Sequence, residues 1–105
     1  IHVVCEGYAT GLSLCRALAT LKRPYVLHVC FSAGNMKKVA QALPTGIAIA
    51  DNDVSLTGQR VCQEINWPYW MSDVVGEDAN DYHQRRGLFA LSQGLQKLIL
   101  EARRR

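Results

Sequence analysis

The chain holds 105 residues, 49% hydrophobic and 20% charged, a length and balance suited to one globular domain with a single buried core. No apolar run approaches the roughly 20 residues needed to span a bilayer, and Ile1-His2-Val3-Val4-Cys5 lacks the basic start and cleavage site of a signal peptide. The formal net charge of +3 resides in the terminal Arg103-Arg104-Arg105; without that run nine basic residues face nine acidic ones, so charge alone does not mark a nucleic-acid binder.

Ile1 to Cys5 is an apolar, β-branched run that reads as a strand and stops at Glu6-Gly7. From Ala9 to Leu21 the positions Leu14, Leu18 and Leu21 recur at helical spacing, and Arg23-Pro24 breaks the pattern. Tyr25 to Phe31 reads as a second strand. Asn35 is a candidate cap for a helix in which Met36, Val39, Ala40 and Leu43 follow the i, i+3, i+4, i+7 rule and Pro44 stops the run. Gly46 to Ala50 forms a third strand closed by Asp51-Asn52-Asp53, and Thr57 to Ile65 a third helix with Val61, Cys62 and Ile65 inward. Pro68 to Met71 reads as a short fourth strand. The acidic stretch Glu77 to Asp81 reads as a loop or a short helix start, before a last helix carrying Leu88, Leu91, Leu95 and Leu98. Opening in a strand and closing in a charged helix is expected of one domain, residues 1–105, cut from a longer protein.

Cys5, Cys15, Cys30 and Cys62 show no zinc-knuckle spacing. They read as reduced thiols used as small core residues, which sets the expectation of a cytoplasmic protein.

Strands apolar on both faces and separated by helices specify an α/β fold with a parallel sheet covered on both sides. Ligands of such sheets sit at the carboxyl ends of the strands. Glu6, Asp51 and Asp53 follow strand ends, so they converge on that edge if their strands are neighbours. Three carboxylates within about 5 Å repel by roughly 3 kcal/mol per pair at an effective dielectric near 20, a cost that protons or cations offset. Hard oxygen ligands select Mg²⁺ or Mn²⁺ over zinc, and such ions neutralise charge in phosphoryl transfer.

Cys-Glu-Gly-Tyr-Ala-Thr-Gly at 5–11, Ile-Ala-Asp-Asn-Asp at 49–53 and Gly-Glu-Asp-Ala-Asn-Asp at 76–81 stand in the order and spacing of the acidic blocks of the Toprim family. Phe31-Ser32-Ala33-Gly34-Asn35 and Gly58 are similar to the pattern of its primases from plasmids, phages and other mobile elements. The resemblance spans nearly the whole chain. It implies a Rossmann-like three-layer sandwich of about four mostly parallel strands flanked by helices. It also implies that Glu6 serves as general acid or base or as metal ligand, and that Asp51 and Asp53 hold Mg²⁺ or Mn²⁺. Asp78 would complete the site or support it from behind. The implied activity is metal-dependent nucleotidyl transfer in a DNA primase or primase-helicase, joining nucleoside triphosphates into RNA primers on single-stranded DNA. Partner domains would include a zinc-binding or helicase domain. Ser32 departs from the pattern, because an aspartate often stands there in such sequences.

Other readings stand beside these. Asp51 and Asp53 suit a turn, and Asp78 with Asp81 suits a helix cap. His83 reads as a polar surface or packing residue. Trp67, Tyr69 and Trp70 can pack on the sheet or stack on unpaired bases. Arg60, Lys37 and Lys38, with Arg85 and Arg86, meet phosphates if they flank the acidic edge; Arg60 stands out because its helix begins just after the aspartate pair. Strand cleavage of the nuclease or topoisomerase kind, and a non-catalytic module that binds nucleic acid or a partner, are the alternative functions.

Overall fold

Alternation along the two central strands decides the layering. In β1 (His2–Cys5), Val3 and Cys5 join one core and Val4 the other. In β3 (Gly46–Ile49), Ile47 and Ile49 join the first core, and Ala48 with the following Ala50 joins the second. Successive side chains of a strand point to opposite faces, so both strands are buried on both sides, as a parallel sheet requires. These features come from a computed structural model that describes residues 1–104; Arg105, the last of the terminal arginine run, lies outside the described residues.

The sheet order is β2-β1-β3-β4, with β2 (Val26–Val29) and β4 (Tyr69–Trp70) at the edges and every pairing parallel. Leu14, Ala17 and Leu18 of α1 (Tyr8–Thr20), Ala79 of α4 (Ala79–Arg86) and Leu91, Leu95, Leu98 and Ile99 of α5 (Leu88–Arg104) fill the first core. Met36 of α2 (Ala33–Gln41) and Cys62 of α3 (Thr57–Ile65) fill the second. The α/β class and the three-layer arrangement expected from the sequence are therefore present.

Helix α1 carries the chain from β1 to β2 across one face, whereas α2 and α3 carry it to β3 and β4 across the other. The chain thus leaves β1 and β3 in opposite directions. That opens a crevice between their carboxyl ends, the place where such sheets bind ligands. Register pairs Cys5 with Ile49, so Glu6 and the Asp51–Asp53 turn emerge side by side there.

Several boundaries differ from the sequence expectations. Strand β2 ends at Val29, because Phe31 turns into the left-handed region at φ 68°. Ser32, and not Asn35, caps α2: its extended backbone lets the hydroxyl accept from the Asn35 N–H at 3.1 Å, while the Asn35 side chain donates to the Cys30 carbonyl. Helix α1 starts at Tyr8, with Gly7 as its cap. A Cβ at Gly11 would lie 2.8 Å from Val29, so glycine lets α1 approach the sheet closely. The acidic stretch becomes a separate helix, α4, and Gly87 at φ 89° divides it from α5.

The four cysteines are free thiols, and burial pushes Cys5 and Cys62 up to about 12. Trp67 and Tyr69 pack against the second core. Trp70 packs against the first, edge-on to Tyr82 at 5.0 Å. The aromatic cluster is therefore packing material.

Candidate functional site: an acidic crevice at the sheet edge

Two carboxylate oxygens define the crevice. Glu6 Oε2 and Asp51 Oδ1 are both buried without a hydrogen-bond partner. A buried polar atom left unpaired costs about 1–3 kcal/mol, more when charged, so each such atom requires an explanation. Burial, then the charge of Asp53, raises the Glu6 carboxyl above its ordinary range, and the Asp51 backbone N–H opposes the shift. Asp51 is pushed up to about 6, first by burial and then by the charges of Glu6, Asp78 and Asp53. The acids flank one crevice and repel one another through it.

Helix α3 closes the crevice. A Cβ at Gly58, in its first turn, would lie 3.2 Å from Glu6 Oε2 and 3.0 Å from the Asp51 carbonyl oxygen. Only a glycine here lets the start of α3 settle on both residues without displacing either. The amino end of a helix carries partial positive charge and favours anions, which suits the Glu6 carboxylate and a phosphate alike.

Asn52 was not legible as a site residue, yet it sets the positions of both flanking aspartates. It is 7% exposed, and its backbone N–H, backbone carbonyl and side-chain NH2 group all engage the 72–77 segment. Its side-chain amide donates to the Ser72 carbonyl at 2.8 Å, its N–H donates to the Glu77 carbonyl at 3.0 Å, and its carbonyl accepts from the Gly76 N–H. The segment is itself locked, because Arg85 grips Glu77 at 2.7 Å and Asp73 at 2.9 Å, and Ser72 donates to Glu77 at 2.6 Å. Two aspartates separated by one residue read in sequence as a turn. Nothing there signals that the middle residue is buried against a loop twenty positions on.

Asp53 accepts from Ser55 at 2.8 Å, so it also has a turn role. Asp78 caps α4: one oxygen accepts from the Asp81 N–H at 2.8 Å, and Asp81 returns the bond at 3.1 Å. Both the capping arrangement and an electrostatic influence on Asp51 are therefore present at Asp78. The Ser32 hydroxyl is occupied with capping α2. His83 is a half-buried packing residue whose Nδ1 lies 2.9 Å from the Ser13 hydroxyl.

The basic residues divide. Lys37 pairs with Glu64 at 2.9 Å across α2 and α3. Lys38 and Arg60 are exposed, and Arg60 lies one turn into α3 from the crevice. A cavity of about 980 Å³ is an open groove elsewhere, between the end of α1 and helices α4 and α5. Leu21, Leu88 and Phe89 line it with Thr20, Gln96 and Lys97, and none of the acidic residues of the crevice belongs to its lining.

Among the described residues, no three His, Cys, Asp or Glu side chains stand as a ready-made metal cage. The donor chemistry nevertheless fits a hard divalent cation: two buried orphan oxygens on neighbouring strand ends, with Asp53 close enough to raise Glu6. Comparison with protein-family models, curated proteins and solved structures gives no match to this chain. No helix among the described residues is long and apolar enough to cross a membrane.

Proposed function

We propose that the chain is a Toprim-type catalytic domain that performs divalent-metal-dependent nucleotidyl transfer. Its substrates would be nucleoside triphosphates and its setting a DNA primase that makes RNA primers on single-stranded DNA. The observation that carries this reading is the pair of buried, unpartnered carboxylate oxygens, Glu6 Oε2 and Asp51 Oδ1, at the crevice between β1 and β3. Two such buried oxygens on neighbouring strand ends are costly in a chain that never binds a cation, and they would become ligands in one that does.

Asp51, Asp53 and Glu6 would hold Mg²⁺ or Mn²⁺, with Asp78 adding negative charge from the start of α4. When bound, the ion neutralises charge on the phosphates. Burial and the charge of Asp53 raise the Glu6 carboxyl above its ordinary range, which makes its carboxylate a stronger base for taking the proton from an attacking hydroxyl. The start of α3 presents backbone N–H groups to a phosphate, and Arg60 and Lys38 offer further positive charge along the exposed helices. Asn52 keeps Asp51 and Asp53 in register with Glu6. Partner domains such as a zinc-binding or helicase unit would deliver the template.

The test is primer synthesis on a single-stranded template by the protein that carries this domain, comparing wild type with Glu6→Gln and Asp51→Asn. Synthesis should fall by at least about a hundredfold in both, with the fold intact by circular dichroism. Undiminished synthesis in both variants overturns the assignment. A non-catalytic binding module is the second reading, favoured by Ser32 in place of an acid. Metal-independent binding of single-stranded DNA that survives loss of Glu6 and Asp51 would support it. Nicking of plasmid DNA with Mn²⁺ would point instead to strand cleavage.

A further inference from the structure

The turn after β2 places an aromatic ring in solvent beside the acids. Phe31 is 76% exposed, and its backbone N–H donates to the Glu6 carbonyl at 2.7 Å, so the residue is tied to the backbone of the acid itself. Its φ of 68° lies in the left-handed region, which glycine and asparagine adopt readily and bulky residues do not. The structural duties of the turn fall on its neighbours. The Cys30 N–H continues the β1 ladder to the Cys5 carbonyl, and Ser32 caps α2. Phe31 belongs to neither core cluster. A phenyl ring here costs stability, exposes apolar area and joins neither core. Such an outlier points to contact with something outside it. Tyr8, 65% exposed, adds a second aromatic two positions beyond Glu6.

The ligand must satisfy both halves of this edge. The buried acid oxygens suit a cation, and a hard divalent cation attracts phosphate oxygens. The ring offers a flat apolar face, and any base can stack on it. One chemical class carries phosphates and an aromatic base in a single molecule. We infer that Phe31 is the stacking platform for the base of a nucleoside triphosphate whose phosphates lie at Glu6 and Asp51. This deepens the proposed function and rests on it for the phosphate half.

The experiment titrates the chain, with Mg²⁺ present, with ATP and separately with inorganic tripolyphosphate, which lacks the base. Wild type should bind ATP at least about fivefold more tightly than tripolyphosphate, the fold-change of one base stacked on an aromatic ring. Phe31→Asn should abolish that advantage and leave tripolyphosphate binding unchanged, and Phe31→Trp should keep it. Because asparagine suits the left-handed backbone, Phe31→Asn should melt no lower than wild type, which separates lost stacking from lost folding. Equal affinities for the two ligands in wild type, or wild-type ATP binding by Phe31→Asn, overturn the platform while the phosphate site stands. Failure of both ligands to bind, or unchanged binding of both by Glu6→Gln, overturns the platform and the proposed function together.

Discussion

Gly58 lies directly against the Glu6 carboxylate, so close that a methyl group at position 58 would sit 3.2 Å from Oε2 and 3.0 Å from the Asp51 carbonyl oxygen. In a helix, glycine to alanine ordinarily adds up to about 1 kcal/mol of stability. Here the added methyl group meets both residues of the crevice. Gly58→Ala is expected to leave the melting temperature within about 4 °C of wild type while lowering Mn²⁺ affinity about tenfold through displacement of Glu6. Thermal melts with a parallel Mn²⁺ titration check this; unchanged affinity would show that the contact does not shape the site.

Asp51 makes the folded state sensitive to pH in a definite direction. Its carboxyl stands at about 6 against an ordinary 3.8, mainly through burial. Between those values the folded chain keeps a proton that the unfolded chain releases. Stability from this group is therefore full below 3.8 and is lost as the pH rises through about 6. Asp51→Asn should stabilise the fold near neutral pH by about 1–2 kcal/mol after allowance for solvent screening. Urea unfolding from acid to neutral pH should show the gain shrinking toward about pH 4, and saturating Mg²⁺ should narrow it at neutral pH. A gain independent of pH would contradict the assignment to this carboxyl.

Asn52→Ala removes the 2.8 Å bond to the Ser72 carbonyl and leaves that buried group unpaired. A loss of about 1–3 kcal/mol is expected. The looser turn should also exchange the Gly76 and Glu77 amide protons faster, while amides of β1 and β3 stay protected. Uniform loss of protection would mean global destabilisation and no local clamp.

Asp78 separates capping from ligation. Asparagine caps a helix about as well as aspartate, whereas alanine costs about 1 kcal/mol. Asp78→Asn should therefore melt with wild type and Asp78→Ala below it. Because Asp78 adds to the repulsion at Asp51, both variants should lower the Asp51 pKa. Mn²⁺ affinity should fall far less in Asp78→Asn than in Asp51→Asn; equal losses would make Asp78 a ligand of the same rank.

The layering was legible because β1 and β3 are apolar on both faces and the helical leucines repeat by three and four. The position of Glu6 and the aspartates followed from their place just past strand ends. Details set by single hydrogen bonds were not legible. Ser32 and Asn35 both suit a cap, and the extended backbone at Ser32 decides between them. The capping box of Asp78 and Asp81 was one of two open readings, and it forms a whole helix that the acidic stretch only hinted at. The burial of Asn52 depends on a loop distant in sequence. The exposure of Phe31 could not be read from an apolar run that resembles a strand to its end.

The central claim is that Glu6 and Asp51 share a divalent-cation site. Titrating the isotope-labelled chain with Mn²⁺ and following paramagnetic broadening of the backbone amides tests it most directly. Broadening should centre on Glu6, Asp51 to Asp53 and the first turn of α3, reach Asp78 more weakly, and disappear in Asp53→Asn. Broadening centred elsewhere, or none at millimolar metal, would contradict the claim.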